Sequence, residues 1–328
     1  MFMKAFEDVP RVLIYTSRDL EQELMQINSV LSEANQDWEK RAESMKRIRS
    51  LMVAGACDYD EFLPLLKQLE IAFQLSIKDL RSKVVRETCI TIAFLSQRLG
   101  TKVERFCEGL LPSMFNLIPN SAKIMSTCAI VCIRFVIQYV HGSRLIPVIT
   151  FNMTSKAKDI RKATCEFLDH LLHTWPTGPL EKHVGILQEA IKKGLSDADS
   201  EARVFARKAF WGFADHFKYQ ADVLMHSLEP SKQKMLYGEQ PTSMSSSNST
   251  NSLVNAYLSS NQPYNSYKSQ SRPNVMTKSV SSSNSIENLT RPSSSLAQRN
   301  RSRIPVFSPR SEIGKHDEQL NNHKKMNF

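Results

Sequence analysis

His170 and His173 stand three residues apart in the string LDHLLHTW, and on a helix that spacing turns two imidazoles toward one metal ion. No Cys, Asp or Glu partner is read as completing the set, so no metal site is expected. The six cysteines, at 57, 89, 107, 128, 132 and 165, form no C-x-x-C pair. Several fall inside apolar helical strings such as TCITIAFL and STCAIVCIRF, where a free thiol packs as a small hydrophobe. A glycine-rich phosphate loop, G-x-S-x-G and H-E-x-x-H are all missing from a chain with only ten glycines. The expectation is a protein with no catalytic residue, no metal and no cofactor.

What chemistry remains is recognition. Trp38 follows Asp37, a residue able to cap a helix, and aromatic and Arg side chains dominate binding hot spots. It is either an exposed interface anchor or a core residue folded back. Lys78, Arg81, Lys123, Lys156 and Lys158 recur at one position of successive polar segments. They make either a binding surface or an ordinary solvated face. A last polar segment is mixed, with Asp197, Asp199 and Glu201 against Arg203 and Arg207, and suits binding and internal helix capping equally. Far downstream, RNRSRIPVFSPR sets Ile304, Pro305, Val306 and Phe307 in a row between arginines.

The elements that position these residues are helices. Leu20, Leu24, Ile27 and Leu31 have amphipathic spacing over about 18–33, with Ser17 as the expected N-cap. After the polar SEANQD the pattern resumes from Trp38 to Ala54. No stretch sustains period-2 alternation, so no sheet is expected. Polar segments centred on Asp37, Asp79, Ser121, Lys158 and Asp197 recur every 37 to 42 residues, close to the period of two-helix HEAT repeats. One such hairpin cannot bury its apolar face alone, so neighbours must stack into a solenoid. The segments between paired helices then emerge along one edge, as a linear ledge. The segment YQADVLMHSLEPSKQKMLYG reads as a sixth, truncated unit closing the series.

Charge divides the chain differently. Residues 1–230 hold 30 Lys/Arg against 28 Asp/Glu, whereas 231–328 hold 13 against 5. The near-neutral body argues against nucleic acid as the main ligand, because phosphate binding needs a dense cationic face. The C-terminal part, with 23 serines and no apolar periodicity, is expected to be a disordered basic tail attracted to acidic polymers. MFMKAFEDVP has no apolar core run of a signal peptide, and Ile124–Val140, interrupted by Arg134 and Gln138, is short for a membrane span. A reduced, soluble, cytoplasmic protein without membrane insertion is expected.

The strings DWEKRAESMKRIRSLMVAGA, KDLRSKVVRETCIT, NLIPNSAK, RLIPVIT, TSKAKDIRKATCEFLDHLL, IKKGLSDADSEARVFARKAF and SLEPSKQK span nearly all of residues 5–235. The body resembles a TOG domain, the tubulin-binding HEAT module, and specifically the second TOG domain of the CLASP (CLIP-associating protein) family. The resemblance implies an all-α HEAT-repeat solenoid of about six two-helix repeats over 17–237. Residues 1–16 would pack on it as an extension, and 238–328 would follow as the disordered tail. It also implies tubulin contacts along the loop edge: Trp38 and Lys40, then Lys78 and Arg81, Asn120 and Lys123, Ser155 and Lys156, Asp199 and Arg203. Asp159, in AKDIRK, departs from the family's more apolar or basic start there. Ser302, Arg303, Ile304 and Pro305 fit the S-x-I-P motif by which such proteins dock on end-binding proteins. The implied function is microtubule plus-end regulation, suppressing catastrophe and promoting rescue, in the cytoplasm at plus ends and on the spindle. The alternative is a helical scaffold binding another protein or nucleic acid through its concave face.

Overall fold

The computed structural model describes residues 2–33 and 35–238, all within one compact unit. The expected tail beyond Gly238, with its S-x-I-P stretch at 302–305, lies outside the described residues. A short α1 (Phe2–Phe6) precedes six helix pairs. The first pair is α2 (Ser17–Ser32) with α3 (Trp38–Val53). In the second, α4 (Phe62–Gln68) and α5 (Glu70–Ile77) face α6 (Ser82–Leu99). Then α7 (Glu104–Leu117) pairs with α8 (Lys123–Tyr139), and α9 (Leu145–Phe151), prolonged by a 3-10 turn, with α10 (Lys158–Thr174). A short α11 (Thr177–Glu181) leads to α12 (Val184–Leu195), paired with α13 (Ser200–His216). Finally α14 (Lys218–His226) and α15 (Pro230–Gly238) close the series. No strand occurs among the described residues, and the all-α repeat architecture expected from the period is present.

Local chemistry sets the boundaries. In α2, Leu20, Leu24, Ile27 and Leu31 are all buried, as their spacing requires. Its N-cap is Thr16 and not Ser17. The Thr16 hydroxyl accepts from the Asp19 N–H at 3.1 Å, and the Asp19 carboxylate accepts from the Thr16 N–H at 3.0 Å. That reciprocal box needs its acidic partner three residues on, which Thr16 has and Ser17 lacks. Asp37 caps α3 as expected, its carboxylate accepting from the Glu39 N–H at 3.1 Å. Past the end of α3, Gly55 takes φ +95°, a left-handed value that costs a glycine little. Gly194 serves another need: a Cβ there would lie 2.8 Å from the Cβ of Ala206, so its absence lets α12 meet α13.

The pairs stack as two layers. The second helices α3, α6, α8, α10 and α13 pack in that order, and α2, α5, α7, α9, α12 and α14 do the same opposite them. One continuous apolar core runs between the layers from Phe2 to Leu236. Full burial of each Leu or Phe in it contributes about 1.5–3 kcal/mol. Polar stitches join successive repeats. Arg49 of α3, 1% exposed, donates to the Glu87 carboxylate at 2.6 Å and to the Thr91 hydroxyl at 2.8 Å, both on α6. Trp175, after α10, donates its indole N–H to the Ile137 carbonyl of α8 at 2.7 Å. The chain's start is used too. Phe6 of α1 stacks on Phe94 with centroids 4.9 Å apart and meets Phe135 edge-on at 5.4 Å, bridging α6 and α8. From there to α2, Val12 and Ile14 pack on the core while Leu13 and Tyr15 face solvent. No described helix is long and apolar enough to cross a membrane.

Candidate functional site

Because the second-layer helices stack in order, the loops leading into them emerge in order at one end of that layer. These loops cover residues 33 and 35–37, 78–81, 118–122, 155–157 and 196–199. Direct contacts tie several together. The Lys83 ammonium of α6 lies over the Trp38 ring, 5.0 Å from its centroid. Arg41, one turn into α3, pairs with Asp79 of the second loop. Arg161 of α10 pairs with Asp197 of the fifth loop at 2.7 Å, and Lys162 with Glu201 of α13 at 2.5 Å.

Trp38 is half-buried at the first position of α3. It is not part of the apolar core, and a cation lies over its ring. Lys40 beside it is exposed, as are Lys78, Arg81, Asn120, Lys123 and Lys156. Their backbones are held firmly. The Arg81 N–H donates to Asp79 at 2.7 Å, and the Ala122 N–H donates to the Asn120 side chain at 2.8 Å. The edge therefore offers a half-covered indole and several solvated cations on rigid turns.

Besides Asn120, three of the implied contact residues use their side chains in hydrogen bonds within the fold. Ser155 is half-buried and accepts from the Ala157 N–H at 3.3 Å. Asp199 caps α13, accepting from the Ala202 N–H at 2.9 Å. Arg203 donates to the carbonyls of Asp197 at 2.6 Å and Ala198 at 3.0 Å. Lys158 and Asp159 are exposed on the first turn of α10. Between the third loop with α8 and the facing helix α10 opens a cavity of about 350 Å³, lined by Asn120, Lys123, Ile130, Asp159, Lys162 and Glu166 among others.

Sequence reasoning missed two members of this edge. Leu80, at the tip of the second loop, is 93% exposed between Lys78 and Arg81. An apolar residue between two charged ones on a predicted loop was the available signal. Lys83 gave no local signal, because its place over Trp38 depends on α3 and α6 packing together.

The electrostatics follow from these contacts. For Asp197, burial is the largest influence and acts upward. Hydrogen bonds from Arg161 and the Asp199 N–H, with the charges of Arg161 and Arg203, outweigh it and hold the carboxyl below its ordinary value. The hydrogen bond that Lys162 donates to the Glu201 carboxylate raises its ammonium. Away from the edge, His173 places Nδ1 2.8 Å from the Asp169 carbonyl and 3.0 Å from its carboxylate. Burial lowers His170 to about 4. Among the described residues no group of three or more His, Cys, Asp or Glu is arranged to hold a metal ion. All six cysteines are free thiols.

Comparison with known proteins then locates the chain. The family model described as CLASP N terminal matches residues 20–237. Over 235 residues the chain is 54% identical to CLIP-associating protein 1 of Xenopus tropicalis, an alignment covering 72% of this chain and 16% of that protein. Identity to CLIP-associating protein of Drosophila melanogaster is 36% over 241 residues, covering 73% and 16%. The chain thus spans about one sixth of the length of the curated relatives it matches. A solved chain from "Structural Basis of Tubulin Recruitment and Assembly by Microtubule Polymerases with Tumor Overexpressed Gene (TOG) Domain Arrays" superposes with a TM-score of 0.53. It covers 73% of this chain and 49% of that one at 16% identity, a likeness of fold.

Proposed function

The chain belongs to the CLASP N-terminal family and carries a TOG-type helical-repeat domain, and on that premise we propose that it is a non-enzymatic microtubule regulator meeting tubulin with the loop edge. The observation that carries the reading is the edge itself, where contacts between neighbouring repeats hold Trp38 and several exposed cations on one side of the stacked helices. Trp38, Lys40, Lys78, Arg81, Asn120, Lys123 and Lys156 form the contact surface. Ser155, Asp199 and Arg203 contribute by shaping the fourth and fifth loops from within. The unit 17–237 is the binding module, with residues 1–16 as its packed extension. Its action is to suppress catastrophe and promote rescue at plus ends and on the spindle. Ser302, Arg303, Ile304 and Pro305 recruit it there by docking on an end-binding protein.

The substitution Trp38→Glu tests the edge. A half-buried residue on a capped first turn tolerates the change, so the helical circular dichroism spectrum and melting should stay close to wild type. Catastrophe frequency in a reconstituted dynamics assay should return to the protein-free value. A folded variant that still suppresses catastrophe would refute the reading.

A further inference from the structure

We propose that Arg41 and Arg161 are positioning residues that fix the spacing of neighbouring loops, so that the edge meets its partner as two pre-registered loop pairs, the first with the second and the fourth with the fifth. The proposal rests on the reading of this edge as the tubulin-binding surface. Both arginines occupy the fourth position of a second-layer helix, α3 starting at Trp38 and α10 at Lys158. Each pairs with an Asp three residues before the next helix of that layer, Asp79 before Ser82 and Asp197 before Ser200. Each Asp is also the turn-former of its loop, accepting the N–H two residues on, from Arg81 at 2.7 Å and from Asp199 at 2.9 Å. One guanidinium thereby grips the hinge point of the following loop.

Arg161 also grips its own loop. While Nε and Nη2 hold Asp197 at 2.7 and 3.2 Å, Nη1 donates to the carbonyls of Ser155 at 3.0 Å and Lys156 at 3.2 Å. Arg41 instead places its second arm 3.3 Å from the Ser76 hydroxyl, at the end of α5. A planar fork of donors suits this double duty, whereas a lysine can make only part of it. Side-chain exposure is 4% and 8% in the first pair, and 20% and 5% in the second. These groups are shielded from solvent and are not offered to a partner. At the two central seams the equivalent fourth residues are Val85 and Ser126. A valine cannot bond across, and Ser126 donates to its own loop at the Ile118 carbonyl, 2.6 Å away. The third loop is held by neither clamp, and the cavity of about 350 Å³ opens on its side facing α10.

The test uses the full chain, with co-sedimentation on microtubules over a salt series and amide hydrogen exchange without tubulin. Arg161→Ala should weaken binding about tenfold while the slope of binding against salt stays unchanged. Lys156→Ala, which removes a solvated charge, should flatten that slope. The double variant Arg161→Ala with Asp197→Ala should bind no worse than Arg161→Ala alone, and Arg161→Lys should recover only part of the loss. Exchange at 155–157 and 197–199 should rise in Arg161→Ala while the helices keep their protection, which separates lost positioning from unfolding. The proposal is overturned if Arg161→Ala binds like wild type despite faster exchange. It is equally overturned if the two losses add and the salt slope falls, since Arg161 would then touch the partner itself. Trp38→Ala is measured beside these. Undiminished binding there removes the edge altogether, whereas a Trp38-dependent but Arg161-indifferent interaction removes only the positioning role.

Discussion

His170 lies on α10 facing the charges of Arg134, Asp169 and His173, and burial, aided by Arg134, brings it to about 4. In the unfolded chain it titrates near 6.5, so at acid pH the unfolded state takes up a proton that the folded state refuses. Its contribution is therefore intact above about pH 6.5 and erodes as the pH falls toward 4. His173 works the other way. Its value is raised, first by the hydrogen bond to Asp169, so its contribution is present below 6.5 and fades as pH rises through its folded value. Replacing His170 with Gln should remove only the first effect. Urea unfolding between pH 7 and pH 5 should then show a stability loss smaller than wild type by about 2 kcal/mol. An unchanged pH slope would mean that His170 takes up its proton freely in the fold. At this scale the sequence spoke where chemistry is local. Asp37 was legible as a cap because its acceptor meets an amide two residues away. The destination of Arg161 was not, because a long guanidinium stem bonds wherever the next repeat puts a carboxylate.

Helices differ in how much they depend on neighbours. The apolar spacing of α2 announced the element and its buried face from the sequence alone. The five residues of α1 are too few to hold a helix in water, so this element exists through docking and carried no readable pattern. Its anchor is Phe6, 2% exposed against Phe94 and Phe135. Phe6→Ala should cost about 3 kcal/mol in chemical denaturation, at the low end for a buried aromatic because a helix of five residues can relax around the change. Amide exchange should speed up in the second halves of α6 and α8, where those partners sit. A loss below about 1 kcal/mol would show that the aromatic contact is not what seats α1.

The whole chain divides its labour by charge. Residues 1–230 carry 30 cationic against 28 anionic side chains, so attraction alone brings this body to no partner, and loop geometry must select. The excess of positive charge lies in 231–328. The chain 1–328 should bind microtubules more tightly than residues 1–238 at low salt. The gap should close as salt rises, because exposed charges are screened beyond roughly 10 Å at 0.1 M. Changing Ile304 and Pro305 to Asn should leave that salt curve intact and erase comet-like tracking in cells; comets that persist would return the stretch to coincidence. The repeat was legible at this scale because every hairpin needs a polar turn about every 40 residues. Which seams are clamped was not, because Val85, Ser126 and Arg161 occupy equivalent positions in strings of similar polarity. The docking of Phe6 also has a consequence in time. Phe94 and Phe135 lie 88 and 129 residues farther along the chain. At translation speeds of roughly 5–20 residues per second, this oily segment leaves the ribosome many seconds before its seat has been made. It is made well before the seat that locks it, and a nascent chain must keep it from sticking elsewhere meanwhile.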